Sequence, residues 1–319
     1  MLTAATSTSS RILVVRLGAM GDIIHALPAV ASLKQSYPGS RLTWIVEPKW
    51  APLLEDNPFI DRIVLLRRRT LAGLLESWRS LRAERYDFAV DFQGLIKSAV
   101  AAAAARPGRI FGFHRSQLRE RAAALLYSNK TVSGAAHVVE KNLDLAAAAG
   151  ASTLLRTFPL PAGRPEGALP PGDFVLASPL AGWRGKQWPM EYYQALGTLL
   201  ERELGLPLVL DGPPGAGFEH CSGLPGLIHA TRRAAAVVGV DSGPLHLAAA
   251  LGKPGVAIYG PTDPARNGPY GDSLRVLRSP AAVTTYKRGR SIDEAMRAVS
   301  PAQVFEALKA MLGERRSLV

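Results

Sequence analysis

Two doubly wound α/β sheets facing a cleft are the fold the sequence predicts, and three observations carry the prediction. Short apolar runs alternate with helix-length segments along most of the 319 residues, the pattern of parallel sheets with covering helices. The alternation stops once, in the proline- and glycine-rich stretch 157–171 (TFPLPAGRPEGALPP), and then restarts, which reads as a linker between two domains over 11–156 and 172–319. Polar, glycine-containing turns follow several of the apolar runs, at the strand ends where open α/β sheets bind ligands.

The first strand is 11–15 (RILVV). It runs into Arg16-Leu17-Gly18-Ala19-Met20-Gly21-Asp22, with a helix expected over 23–36. Gly18 and Gly21 are spaced G-x-x-G rather than G-x-G-x-x-G, which argues against a nicotinamide-dinucleotide site. Asp22 at a helix start fits a cap worth about 1 kcal/mol and equally a base held at a sheet edge. A strand over 41–46, a helix over 50–55 and a strand over 60–65 precede the basic run Arg67-Arg68-Arg69, either a solvated loop or a dock for anionic groups. A helix over 71–82 leads to a strand over 87–91 and the turn Phe92-Gln93-Gly94-Leu95-Ile96-Lys97-Ser98, and the alanine run 99–105 is helix interior. After a strand at 109–112, His114 to Arg121 places basic side chains near its end, Arg115 and Arg119 among them. A helix containing His137, Glu140 and Lys141 ends near Gly150.

The second half repeats the plan. A strand over 174–177 opens into a loop with Trp183, Lys186 and Trp188; a helix over 190–204 and a strand over 206–210 follow, then Asp211-Gly212-Pro213-Pro214-Gly215 and a short helix near 226–235. The stretch 237–264 (VVGVDSGPLHLAAALGKPGVAIYGPTDP) organises this half. It holds a strand, the turn Asp241-Ser242-Gly243-Pro244, a helix with Leu245 and His246 in its first turn, a second strand, and the turn Gly260-Pro261-Thr262-Asp263-Pro264. Asp241 or Ser242 suits a helix cap and Pro244 suits a first helical position. The free N–H groups and positive end of such a helix suit a phosphate. An ordinary capped βαβ crossover explains either turn alone; two such turns at neighbouring strand ends favour a binding site. The last helix starts at Ser300-Pro301, with its C-terminal part able to pack back on the first domain.

Composition narrows the classes. Lys and Arg number 38 against 26 Asp and Glu, a net charge of +12, which biases the protein toward anionic partners. No zinc spacing or RNA-binding aromatic signature accompanies the charge, so nucleic acid is not an expected partner. Cys221 is the single cysteine; it offers no disulfide and no cysteine metal site, in keeping with a reducing compartment. The first ten residues (MLTAATSTSS) lack a basic and then apolar signal pattern and read as a disordered leader. Apolar runs fall short of the roughly 20 residues that span a bilayer.

The motifs 16–25 (RLGAMGDIIH), 91–98 (DFQGLIKS), 186–189 (KQWP), 241–246 (DSGPLH) and 259–264 (YGPTDP), in this order and register, resemble glycosyltransferase family 9. That resemblance implies a GT-B fold and an inverting, metal-independent transfer that uses no cofactor. Heptose would pass from the donor substrate ADP-heptose to Kdo of the lipopolysaccharide inner core, the first-heptose step on Kdo-lipid A. It further implies Asp22 as general base and Lys186 as partner of the leaving diphosphate. Asp241, Ser242, Gly243, Leu245, His246 and Thr262 would complete the donor site. Gln93, Lys97, Arg67, Arg68, Arg69, Arg115 and Arg119 are candidates for the anionic acceptor. The protein would be cytoplasmic and peripheral to the inner membrane. One departure stands out: after Asp211 about a dozen residues are missing by ordinary βαβ lengths, with Glu219 the nearest acid. That gap keeps two alternatives open, another family 9 sugar transferase and a nucleotide-sugar or glycolipid binding protein without turnover.

Overall fold

The computed structural model describes residues 10–285 and 287–316, with side chains described to 313; the expected leader over 1–10 lies, Ser10 apart, outside the described residues. The chain divides into two compact units, Met1–Leu160 and Pro161–Val319.

In the first unit β1 (Arg11–Val15), α1 (Met20–Ser36), β2 (Arg41–Val46), β3 (Arg62–Leu65), α2 (Leu71–Arg82), β4 (Phe88–Asp91), α3 (Ile96–Ala104), β5 (Arg109–Phe113), β6 (Asn129–Thr131) and α4 (Val138–Ala148) follow in order. The strands form one parallel sheet ordered β3-β2-β1-β4-β5-β6. Chain direction reverses between β1 and β4, so right-handed crossovers put α1 on one face and α2 and α3 on the other. The contacts agree: α1 packs on α4, while α3 packs on α2 and on the 3-10 segment Arg121–Leu126. Leu13, Val15, Ile45, Val64 and Ala89 centre a core between these layers. Continuous apolar strands are what burial on both faces demands.

The second unit contains β7 (Val175–Ser178), α5 (Met190–Leu204), β8 (Leu208–Gly212), β9 (His220–Cys221), α6 (Leu224–Arg233), β10 (Ala236–Val240), α7 (Gly243–Ala250), β11 (Gly255–Tyr259), α8 (Pro264–Asn267), β12 (Leu274–Arg278), α9 (Glu294–Arg297) and α10 (Pro301–Arg316). Its sheet is also parallel, ordered β12-β11-β10-β7-β8-β9, and reverses between β7 and β10. The last helix, α10, packs on α5, β11 and β12 of its own unit. Two doubly wound sheets are therefore present, as the alternation predicts.

Several boundaries differ for local reasons. The segment expected as a helix over 50–55 is the 3-10 segment Pro48–Leu54, where Pro52 inside it has no N–H for an α-helical hydrogen bond. The helix expected from residue 23 begins at Met20, because the Asp22 carboxylate accepts the Ala19 N–H at 3.2 Å and serves the first turn from inside it. The strand expected over 206–210 shifts to Leu208–Gly212. The strands β6, β9 and β12 are additions to the expected set; β6 (NKT) and β9 (HC) have no apolar run to announce them.

Where about a dozen more residues are expected after Asp211, the chain passes from β8 to β9 with no helix between them. β9 pairs only with the end of β8, His220 opposite Asp211 and Cys221 opposite Gly212. From Gly212 to His220 the chain returns one position along the sheet and moves one strand sideways, a distance of roughly 6 Å, so the loop 213–219 spans it without a crossover helix. Buried groups close this edge. His220 Nδ1 lies 2.7 Å from Asp211 Oδ1, and its Nε2 lies 2.9 Å from the Glu166 carbonyl. Burial pushes the Asp211 carboxyl up, opposed by His220 and Ser178. Glu219 is exposed. Part of the stretch read as a linker is also fastened down: the Arg164 N–H donates to Pro225 O at 3.1 Å, and Glu166 accepts the Gly223 N–H at 2.9 Å.

Candidate active site

Each sheet gathers its polar residues at its reversal point, beyond the C-terminal ends of its two central strands, where neighbouring crossovers diverge and leave a crevice.

In the first unit the loop after β1 delivers Arg16 and Asp22. Arg16 is buried; its guanidinium lies 2.6 Å from Asp22 Oδ1 and also donates to the Phe92 carbonyl after β4. Its own carbonyl accepts Trp44 Nε1–H at 3.0 Å. Gly18 is required where it stands, because a Cβ there would meet Trp50 Nε1 at 2.6 Å. Asp22 thus projects from the first turn of α1, just beyond this anchored loop, with 48% of its side chain exposed.

The loop after β4 is built around Asp91, which is fully buried. Its carboxylate accepts Tyr127 O–H at 2.6 Å, Ser98 O–H at 2.8 Å and the N–H groups of Gln93 and Gly94 at 2.9 and 3.3 Å. Burial pushes its carboxyl up, and these four donors oppose the shift. Gly94 occupies φ 68°, in the left-handed region that suits glycine. Gln93 turns back to accept the Leu17 N–H at 2.8 Å, so it joins the two loops and fixes the one that leads into the first turn of α1, where Asp22 stands.

The basic candidates divide into two groups. Glu47 Oε1 accepts from Arg68 Nε at 3.0 Å and lies 3.4 Å from Lys97 Nζ, while Arg67 lies 3.7 Å from Glu76. Arg67, Arg68 and Arg69 line a cavity of about 760 Å³ with Lys49, Thr70 and Gly73. Arg115 and Arg119 stand after β5 and are exposed, Arg119 beside Glu120 at 3.5 Å; among the described contacts neither joins the Glu47 group.

In the second unit the 3-10 turn Arg184–Lys186 after β7 brings Lys186 Nζ to 2.9 Å from Asp241 Oδ2, at the end of β10. His246 Nε2 lies 3.6 Å from the other carboxylate oxygen. Burial alone would push the Asp241 carboxyl up; the neighbouring His246 and the Lys186 ammonium outweigh it and hold it at about 2. Ser242 Oγ and Thr262 Oγ1, at the ends of β10 and β11, are buried and have no hydrogen-bond partner among the described residues. Unsatisfied hydroxyls are costly in an interior, and at this strand edge they are free to hydrogen-bond a bound molecule. The first turn of α7 adds N–H groups of Gly243 and Leu245, which precede its internal ladder. The Leu245 side chain is buried and faces Gly239, so only its backbone is available. Trp188 is core, its Nε1–H donating to Val299 O at 2.8 Å.

The structure thus joins Lys186, Asp241 and His246, with Ser242, Gly243, Leu245 and Thr262 at the same edge. Sequence reasoning passes over Arg16 and Glu47 as partners of site residues. Arg16 stands inside a motif quoted for Asp22, and only the loop's reversal shows that it is the carboxylate's partner.

The model of glycosyltransferase family 9 (heptosyltransferase) matches residues 74–221 and 222–295. The chain belongs to glycosyltransferase family 9. Among family 9 relatives, lipopolysaccharide heptosyltransferase 1 of Pseudomonas aeruginosa is 30% identical over 303 residues, covering 82% of each chain. The enzyme of that name from Escherichia coli is 29% identical over 308 residues, 85% of this chain and 94% of that one. The solved structure of E. coli heptosyltransferase WaaC with ADP superposes with a TM-score of 0.77 at 26% identity, over 94% of this chain and 99% of the other. The family 9 chain therefore has the GT-B fold and is a glycosyltransferase.

Proposed function

We propose that this family 9 enzyme transfers heptose from ADP-heptose to a Kdo hydroxyl of the lipopolysaccharide inner core, with inversion and without a metal ion or other cofactor. One observation carries the donor half: a part-buried Lys186–Asp241 pair, with Asp241 the hidden member, beside two unsatisfied hydroxyls and the open first turn of α7. Direct displacement needs positive potential where the diphosphate leaves. Lys186 and the α7 amides supply it, Asp241 accepts from donor hydroxyls and keeps the ammonium in place, and Ser242 and Thr262 gain the partners they lack. Relatives of the lipopolysaccharide heptosyltransferase 1 type and the WaaC structures with ADP and with ADP-2-deoxy-2-fluoro heptose support this donor.

The acceptor hydroxyl needs a base on the side away from the leaving group. Asp22 is accessible and is oriented by Arg16 and the Ala19 N–H. The arginine-lined cavity of the first unit suits the carboxylates and phosphates of Kdo-lipid A. A lipid-borne acceptor places the enzyme at the cytoplasmic face of the inner membrane, a reading the +12 charge supports. The closed β8–β9 edge accommodates the short loop after Asp211 within the donor-half fold.

The test is transfer from ADP-heptose to a Kdo-bearing lipid A acceptor without divalent metal, with ADP release followed in parallel. Acceptor-dependent ADP release and a heptosylated product are expected. Donor binding without product would point to another acceptor or a binding protein, and absence of donor binding would show that Lys186, Asp241 and their neighbours do not form an ADP-heptose site.

A further inference from the structure

Helix α2 is turned the wrong way round for a soluble surface helix. Its buried residues are Gly73, Ser77 and Leu81. Ser77 O–H donates within the helix to Gly73 O at 2.7 Å and lies 2.9 Å from Leu65 O, and the Arg67 N–H donates to Ser77 Oγ at 2.8 Å. Small residues let the helix lie close: a Cβ on Gly73 would meet Arg67 O at 2.7 Å. Apart from Leu81, the large apolar residues of α2 face solvent instead. Leu71 is 81% exposed, and Leu74, Leu75 and Trp78 lie exposed at the spacing of one helical face. The patch continues onto the neighbouring elements of the same layer, with Ile96 and Val100 exposed on α3 and Leu125, 84% exposed, in the 3-10 segment Arg121–Leu126. The Glu120 carboxylate accepts the Ile96 N–H at 2.8 Å and ties that segment to α3.

Basic side chains rim the patch. Arg67, Arg68 and Arg69 precede α2, Arg79 and Arg82 occupy its last turn, Lys97 follows Ile96, Arg119 precedes the 3-10 segment and Arg121 opens it. Glu76, the acidic residue of α2, is paired with Arg67. Arg82 lies 4.2 Å from the Trp78 ring centre, an aromatic body with a cationic edge of the sort that settles at a lipid interface. An apolar patch of this extent marks a docking surface. Its rim chooses the occupant: a second copy of the chain would bring one arginine rim against another, whereas an anionic bilayer offers acyl chains to the leucines and phosphates to the arginines.

We infer that the outer face of α2, continued by α3 and residues 121–126, is the surface by which this protein docks on an anionic lipid bilayer, inserting Leu71, Leu74, Leu75 and Trp78. The inference rests on the proposed lipid-borne acceptor. The arginine cavity opens beside the first turn of α2, so docking would bring an anionic headgroup to that cavity while its acyl chains stay in the membrane.

The test is co-sedimentation of the full chain with vesicles of phosphatidylcholine plus phosphatidylglycerol, against phosphatidylcholine alone. The parent should bind the anionic vesicles, and Leu75→Ser/Trp78→Ser should lose about tenfold or more of that binding with an unchanged melting curve, because both residues are exposed. The same variant should lose transfer to a vesicle-borne acceptor and keep transfer to a deacylated, water-soluble one. Vesicle binding equal to the parent's would overturn this face while leaving the membrane reading intact. Failure of the parent to bind anionic vesicles would overturn both. A concentration-dependent dimer that the variant dissolves would assign the face to a second copy and overturn the lipid assignment.

Discussion

At the reversal point of the first sheet, Arg16 is buried and its partner Asp22 keeps 48% of its side chain exposed; at that of the second, Asp241 is 5% exposed and Lys186 is the more open partner at 17%. The same topology presents an accessible carboxylate in one unit and an accessible ammonium in the other. In each pair the hidden member fixes the exposed one. A proton acceptor must reach its substrate, so the acid faces outward where a base is needed. A cation that meets a diphosphate must do likewise, with its counter-charge held behind it.

The comparison breaks most sharply at Asp22. Asp22→Asn keeps the size and the Ala19 contact but cannot take a proton, so transfer should fall by about 10²–10⁴-fold with ADP-heptose affinity unchanged. Parallel measurement of kcat and of donor Kd checks this, and transfer close to the parent's would remove Asp22 from the role of base.

Lys186→Ala should act on both binding and rate. It removes the cation that meets the donor diphosphate, a loss of roughly 3 kcal/mol of binding, about a hundredfold in donor affinity. Titration calorimetry with ADP-heptose measures it; an unchanged Kd would make Lys186 a structural lysine.

Asp241 also carries a pH signature. Its carboxyl is held at about 2, below the ordinary 3.8. The stabilisation it provides is therefore complete above the unfolded value and lost as pH falls through about 2. Asp241→Asn should be less stable by about 2 kcal/mol at neutral pH, with the gap to the parent closing between about pH 4 and pH 2. Urea unfolding at a series of pH values tests this, and a gap that stays constant across that window would contradict it.

The smallest expected effect sharpens the first pair. Arg16→Met removes the cation that orients Asp22 and frees the Phe92 carbonyl, so kcat should fall about tenfold with donor Kd unchanged, and Arg16→Lys should recover part of the loss. Equal losses in kcat and in donor affinity would show general damage rather than positioning.

Two doubly wound sheets, the five motifs and most of the charged candidates were legible in the sequence, because apolar periodicity and turn chemistry are local properties. RILVV and VVGV read as buried strands whatever lies beside them, and the turn before α7 announces its open amides. Tertiary structure alone decided the pairings. Arg16 meets Asp22 and Phe92 O, Gln93 turns to Leu17 rather than outward, and Glu47 gathers Arg68 and Lys97, because crossovers bring together loops up to 76 residues apart in the chain. It also decided which face of α2 is buried. Periodicity shows that the helix has an apolar side, but only the loop closing over Gly73 and Ser77 turns that side to solvent. The strand β9 belongs to the same class: two residues with no apolar signal become a strand because the end of β8 offers unpaired backbone and Asp211 offers a partner for His220.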